Sequence, residues 1–297
     1  MKQNQKLSNF ALIGLGRIGM RILKRLLDAS TVPITYDINP KLLVKAKRSG
    51  AIIVESIAEV ANRSRLVYLS LPSPDVIDKV ITGKGGLMET MQPGSRIVDL
   101  STTSPKFATR MANLCRERKL HYLDSPVSGG LRGAENGTLT SVVGGRKCDI
   151  VAISETMSIF CSKIIHGGPT GSGSACKLIH NMIGEVQVHV IADALILGQK
   201  VGLDPRVLYS FLSHGMASSR VLTDLYFRIV SGKGSVIQAT VSSALREQEL
   251  ALEMACASGF DLTFTPLVLE RLKALKVLGF GDADVTSVYS SRIVTSD

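Results

Sequence analysis

The chain has 297 residues, enough to bury a large core and, by length, to form about two domains. Apolar residues make up 45% and charged residues 20%, which excludes wholesale disorder. Lysine and arginine total 35 against 25 acidic residues, a formal charge of +10 compatible with nucleic acid, an anionic membrane or small acidic ligands.

The first nine residues are polar and short, unlike a signal peptide, and no apolar run approaches the length of a membrane span. A cytoplasmic protein is expected. Residues 10–15 form a short apolar run, a strand, and helical spacing follows over 17–29. A second strand is expected at 33–37 and a helix at 40–49, with further strands at 51–54, 66–71, 95–100 and 121–124. Strands alternating with helices of this length predict βαβ units and a doubly wound, mostly parallel sheet. Gly50, Pro72, Pro93 and Gly94 punctuate the turns. After His166 the character changes. A Gly/Ser/Pro-rich loop at 166–174 precedes a long helical pattern over 175–201, then helices at 205–213, 222–230, 242–258 and 266–278. Asp204 before Pro205 is a good helix start. The expected division is 1–166 and 167–297, the second part all-helical.

The five cysteines are scattered and never spaced as CxxC, so buried reduced thiols are expected rather than disulfides or zinc. The histidines are equally dispersed, and no metal is expected.

Gly14-Leu15-Gly16-Arg17-Ile18-Gly19 is a GxGxxG that closes a strand and opens a helix. Glycines there permit a tight turn, close approach of a pyrophosphate and close helix packing, while the helix N-terminus favours the negative charge. The same pattern also serves ordinary turns. Asp37, roughly twenty residues on, supplies the context that selects dinucleotide binding. A carboxylate there accepts bonds from ribose hydroxyls and repels a 2′-phosphate, and Ile38 offers no arginine to hold one. NAD is therefore expected over NADP, although Lys41 lies nearby. Ser128-Gly129-Gly130 bares hydroxyl and backbone donors suited to a carboxylate, or is simply a glycine turn. Lys177 and Asn181, four residues apart, share one helix face and could place a proton donor and an orienting amide in a cleft between domains. A solvated helix face would show the same pair.

Taken together, these segments resemble the 3-hydroxyacid (β-hydroxyacid) dehydrogenase family, which includes the 3-hydroxyisobutyrate and tartronate semialdehyde enzymes. The resemblance covers nearly the whole chain. It rests on GLGRIG at 14–19, LSLPS at 69–73, DLSTTSP at 99–105, DSPVSGGLRGAENGTLTSVVGG at 124–145 and GSGSACKLIHN at 171–181. It implies a Rossmann-type N-terminal α/β domain plus an all-α C-terminal domain joined by a long interdomain helix. It also implies that Gly14, Gly16 and Gly19 hold the pyrophosphate and Asp37 the ribose, with Leu71, Pro72 and Thr102 against the nicotinamide half. By the same resemblance Ser128, Gly129 and Gly130 grip a substrate carboxylate, Lys177 is the catalytic lysine and Asn181 positions the substrate. The implied reaction is hydride transfer between NAD(H) and a small 3-hydroxy acid or semialdehyde. Two departures stand out. Arg246-Glu247 occupies the place of a Lys-Asp pair whose lysine approaches the cofactor, and His180 stands where many members carry asparagine. The resemblance further implies a homodimer or homotetramer, and no nucleic-acid or membrane partner is expected. The alternatives are a non-enzymatic dinucleotide-fold reader or scaffold that binds acidic partners or nucleic acid, and an imine-reducing relative. Lys177 argues against both.

Overall fold

A computed structural model of the protein describes residues 6–230 and 237–294. Of the polar N-terminal segment, residues 1–5 lie outside the described residues.

The chain runs β1 (Lys6–Ile13), α1 (Gly19–Asp28), β2 (Thr31–Tyr36), α2 (Pro40–Arg48), β3 (Ile52–Ile53), α3 (Ile57–Arg63), β4 (Leu66–Leu69), α4 (Pro74–Thr82) and α5 (Leu87–Thr90). It continues through β5 (Arg96–Asp99), α6 (Pro105–Glu117), β6 (His121–Asp124), β7 (Val127–Ser128), α7 (Gly130–Asn136), β8 (Leu139–Gly144), α8 (Lys147–Met157) and β9 (Cys161–Gly168). Among the described residues the strands form one sheet in the order β3-β2-β1-β4-β5-β6-β8-β7, with β9 also paired to β8. The first six are all parallel, in the doubly wound order of a Rossmann-type domain. Strand β8 runs antiparallel to β6 and β7 and parallel to β9.

Alternation along each strand explains why helices cover both faces. Leu12 and Tyr68 point into one core with Ile22, Leu26 and Phe160. Their neighbours Ile13, Val67 and Leu69 point into the other, with Ile77, Ile97 and Met111. Proline at the first helical position, behind a serine or asparagine cap, starts α2, α4 and α6.

The remaining elements are α9 (Ser172–Lys200), α10 (Pro205–His214), α11 (Arg220–Val230), α12 (Val241–Ala257), α13 (Thr265–Leu275), a single π turn (Lys276–Phe280) and α14 (Ser287–Val294). Asp204 caps α10 by accepting from Arg206 N at 2.8 Å, as its place before Pro205 predicts. A separate core of Leu195, Leu222, Tyr226, Leu245, Val268 and Leu272 holds these helices together. Among the described residues the departure from an all-helical pattern is one isolated bridge, Thr240 to Asp284.

The chain divides into two compact units, Met1–Lys177 and Leu178–Asp297. The boundary expected between residues 166 and 167 therefore falls later. Strand β9 continues to Gly168, which pairs with Gly144, and the loop beyond it is bonded to β6. Two cysteines are buried, Cys115 and Cys161, and burial pushes both thiols up to about 12. Cys148, Cys176 and Cys256 are exposed, unlike the expectation of uniformly buried thiols.

Candidate active site

The turn after β1 is built from glycines with different tasks. Gly14 has φ +93° and its N–H donates to Tyr36 O at 3.0 Å. A Cβ on Gly14 would collide with the Ser70 carbonyl, and one on Gly19 with the Gly14 carbonyl. Gly16 is different: a Cβ there would meet nothing within 4 Å. Between them, Leu15 is buried and donates its N–H to Asp37 Oδ2 at 2.6 Å, while Asp37 Oδ1 accepts from Asn39 N at 2.7 Å. The glycine turn and the end of β2 are thus joined directly. Arg17 is exposed and Ile18 packs on the core beneath the turn.

These residues fit a dinucleotide. Helix α1 has Ile18 at its N-cap position, with no side-chain cap bond, and no acidic residue in its first turn, which leaves its positive end to an external anion. Open space over Gly16 admits a close approach to the backbone. The Asp37 carboxylate has lone pairs beyond the two it spends on Leu15 and Asn39.

The loops after β4 and β5 lie at the same sheet edge. Leu71 sets a methyl group beside Gly14 and donates its N–H to Ser101 Oγ at 3.0 Å. Pro72 is exposed and Thr102 half-buried. Beneath them Asp99 is fully buried, accepting from Ser101 N at 2.9 Å and from the Tyr122 hydroxyl at 2.7 Å. Burial pushes the Asp99 carboxyl up to about 6 against these bonds, and Asp124 adds to the rise.

Ser128 ends β7, paired with Thr140, and is half-buried. Gly129 and Gly130 follow with φ of +126° and +62°, conformations that favour glycine, and Gly129 caps α7 without any side-chain bond. Both glycines are exposed. What spacing could not show is that a short strand and a helix hold them.

Lys177 lies half-buried on the second turn of α9. The start of that helix is held by Asp124, at the end of β6, whose carboxylate accepts from Gly171 N at 2.8 Å and Ser174 N at 2.7 Å. Buried Thr103 adds a hydroxyl contact to Ser174 Oγ at 3.2 Å. The first unit therefore brings the glycine turn, Asp37, Leu71, Thr102, Ser128 and Lys177 to segments that leave the C-terminal ends of its parallel strands or are tied to them, the usual ligand edge of such sheets.

Asn181 and Arg246 belong to the second unit. Asn181, one turn after Lys177, donates Nδ2 to Glu247 Oε2 at 2.7 Å. Arg246 is half-buried on α12 beside Glu247. The expectations for this helix passed over Glu247 as a partner of Asn181. Its only sequence signal was its place after Arg246.

A doubly wound sheet with a glycine turn, an acidic residue closing β2 and a lysine-bearing helix tied to β6 defines a dinucleotide-dependent oxidoreductase. The family model for the NAD binding domain of 6-phosphogluconate dehydrogenase matches residues 9–168. The model for the NAD-binding segment of NADP-dependent 3-hydroxyisobutyrate dehydrogenase matches residues 171–291. The chain belongs to the 3-hydroxyacid dehydrogenase family and uses a nicotinamide dinucleotide. It is 30% identical to a probable mitochondrial 3-hydroxyisobutyrate dehydrogenase of Dictyostelium discoideum, over 93% of this chain and 88% of that one. It is 28% identical to 2-(hydroxymethyl)glutarate dehydrogenase of Eubacterium barkeri, over 96% and 94%. A solved 3-hydroxyisobutyrate dehydrogenase of Mycobacterium tuberculosis shares the fold at a TM-score of 0.87 and 24% identity, over 96% and 99%. Among the described residues no helix is long and apolar enough to cross a membrane.

Proposed function

We propose that the protein interconverts a small 3-hydroxy acid and its semialdehyde or ketone with NAD(H), Lys177 being the general acid and base. The observation that carries this reading is the attachment of the Lys177 helix, through Asp124, to the strand edge that also bears the glycine turn. When bound, the nicotinamide supplies or accepts the hydride. In the reductive direction the Lys177 ammonium stabilises the charge that builds on the carbonyl oxygen and gives it a proton. In the oxidative direction the neutral amine takes the hydroxyl proton. Ser128 with the Gly129 and Gly130 backbone binds the substrate carboxylate, and Asn181 orients the carbonyl end. Arg246 takes the place of the family lysine near the cofactor, as a planar fork rather than a point charge. NAD is the favoured cofactor because Asp37 carries a charge that repels a 2′-phosphate and the next residue, Ile38, is 91% exposed and apolar.

Lys177→Ala is expected to abolish turnover in an NADH-coupled screen of semialdehydes and hydroxy acids, with NADH affinity retained. Near-normal kcat in that variant would sink the assignment.

A homodimer or homotetramer accompanies this reading. Val190 and Leu197 on α9 and Val207 and Phe211 on α10 are exposed apolar side chains of the kind a second copy would cover. Light scattering that returns a monomer at micromolar concentration refutes it.

A further inference from the structure

The amide of Asn181 is held at both ends. Nδ2 donates to Glu247 Oε2 at 2.7 Å, and Oδ1 lies 2.9 Å from His180 Nδ1. A carboxylate only accepts, so the amide nitrogen must be the end that faces Glu247. The amide oxygen then faces the imidazole, and because that oxygen also only accepts, Nδ1 carries the hydrogen. Gln248 donates Nε2 to the main-chain carbonyl of Asn181 at 3.2 Å, fixing this turn of α9 against the same stretch of α12 that bears Glu247.

The two partners are not equivalent. Reversing the amide would set Oδ1 against the carboxylate, two acceptors facing each other. Imidazole could answer the reversal by moving its proton to the other nitrogen. Glu247 has no such option. The carboxylate sets the orientation and His180 follows it.

An amide carries two N–H donors and two lone pairs on oxygen. Glu247 takes one donor and His180 one lone pair. The remaining N–H has its direction fixed by the first.

We propose that Glu247 is a positioning residue that locks Asn181 so that its second N–H is presented to an oxygen of the bound hydroxy acid, with His180 completing the lock from the other side. This rests on the reading of Asn181 as a substrate contact. It assigns a task to the acidic half of the Arg246-Glu247 pair and to the histidine that departs from the family pattern.

Glu247→Gln tests it with little change of shape, because a neutral amide can face Asn181 with either its oxygen or its nitrogen and so permits both orientations. Two readouts are taken together, with thermal unfolding and the KM for NADH as controls. In protein labelled with 15N at asparagine, the Asn181 side-chain amide pair, assigned by its loss in Asn181→Ala, is expected to shift in Glu247→Gln. For the hydroxy acid that the wild type turns over, KM is expected to rise about tenfold, the equivalent of one lost hydrogen bond, while kcat changes far less. Glu247→Ala is expected to exaggerate both effects. An Asn181 resonance that stays in place overturns the proposal, whatever KM does, since the carboxylate would not be orienting the amide. A shifted resonance with unchanged KM overturns it too, since the orientation would then not matter to the substrate. The amide signal needs no turnover. A failure of the Lys177 assignment is therefore seen in the Lys177→Ala kinetics and is distinct from a failure at Glu247.

Discussion

The carboxylate of Asp124 accepts the backbone N–H of Ser174 at 2.7 Å, joining the end of β6 to the first turn of the helix that carries Lys177. A second bond, from Gly171 N at 2.8 Å, holds the loop before that turn. The backbone closes around this side chain. A Cβ on Gly173 would run into the carbonyls of Asp124 and Val142, and one on Gly144 into the Asp124 carboxylate. A negative charge at the start of a helix is favourable in itself, yet Asp124 is buried, and burial pushes its carboxyl upward against the pull of the two N–H groups.

Asp124→Asn keeps the shape but turns one acceptor into a donor that faces a backbone N–H. A loss of about 2–3 kcal/mol in stability is expected, as for a buried polar group left unpaired beside a broken charge-assisted bond. Because the lost bond lies at the root of the Lys177 helix, kcat should fall more steeply than NADH affinity. Urea unfolding and steady-state kinetics on one preparation check both. An unfolding midpoint equal to that of the wild type would show that the helix is held elsewhere.

The glycines of the first turn separate a structural from a binding role. Gly19→Ala forces a methyl group into the Gly14 carbonyl, so the turn must open and the melting temperature should drop. Gly16→Ala meets no neighbour and needs no unusual φ. That variant should melt with the wild type yet bind NADH at least about tenfold more weakly, because the methyl occupies the space a pyrophosphate needs. Calorimetric titration decides it. Undiminished NADH affinity in Gly16→Ala would move the cofactor away from this turn.

How much of this was legible in the sequence follows from the range of the interactions. The βαβ start, its glycine turn and Asp37 could be read because strand, turn and helix are contiguous and each rule is local. Helices α2, α4 and α6 announce themselves by a polar cap before proline for the same reason. The start of α9 did not. Its cap is Asp124, 50 residues upstream of Ser174, so in the sequence the helical pattern begins only at Ala175 and the residues before it read as a loop. Strand β7 is two residues long and β8 runs antiparallel to β6 and β7, with β9 paired to it, so these strands depart from the parallel rhythm by which the earlier ones are read. The contact between Asn181 and Glu247 spans 66 residues, and no spacing rule reaches that far.

Asp37 offers a test of cofactor choice. Leu15 N and Asn39 N occupy part of its carboxylate, so removing the charge also loosens the glycine turn. Asp37→Asn retains an acceptor and limits that damage. With it, kcat/KM for NADH should fall about 10- to 100-fold, the loss of one or two charge-assisted bonds, while the value for NADPH holds or rises. A wild-type enzyme that already prefers NADPH strongly would refute the role given to Asp37.

Tyr122 and Asp99 give a pH dependence whose sign can be worked out. The Asp99 carboxyl lies at 3.8 when unperturbed and is pushed up to about 6 in the fold. Between these values the native protein keeps a proton that the unfolded chain has released. Stability from this group is therefore complete below about 3.8 and is lost as pH rises through about 6. Above that window the carboxylate is charged and buried, and the Tyr122 hydroxyl at 2.7 Å is one of the bonds that make this tolerable. Tyr122→Phe removes it. The variant should lose about 2–3 kcal/mol at pH 8, where the bond is to a charged group, and about 1 kcal/mol at pH 5, where it is to a neutral acid. Its own loss of stability with rising pH should extend to higher pH than in the wild type, because Asp99 without the hydroxyl is pushed up further. Unfolding in urea at several pH values measures the difference, and an equal cost at pH 5 and pH 8 would mean that the hydroxyl does not report on the charge of Asp99.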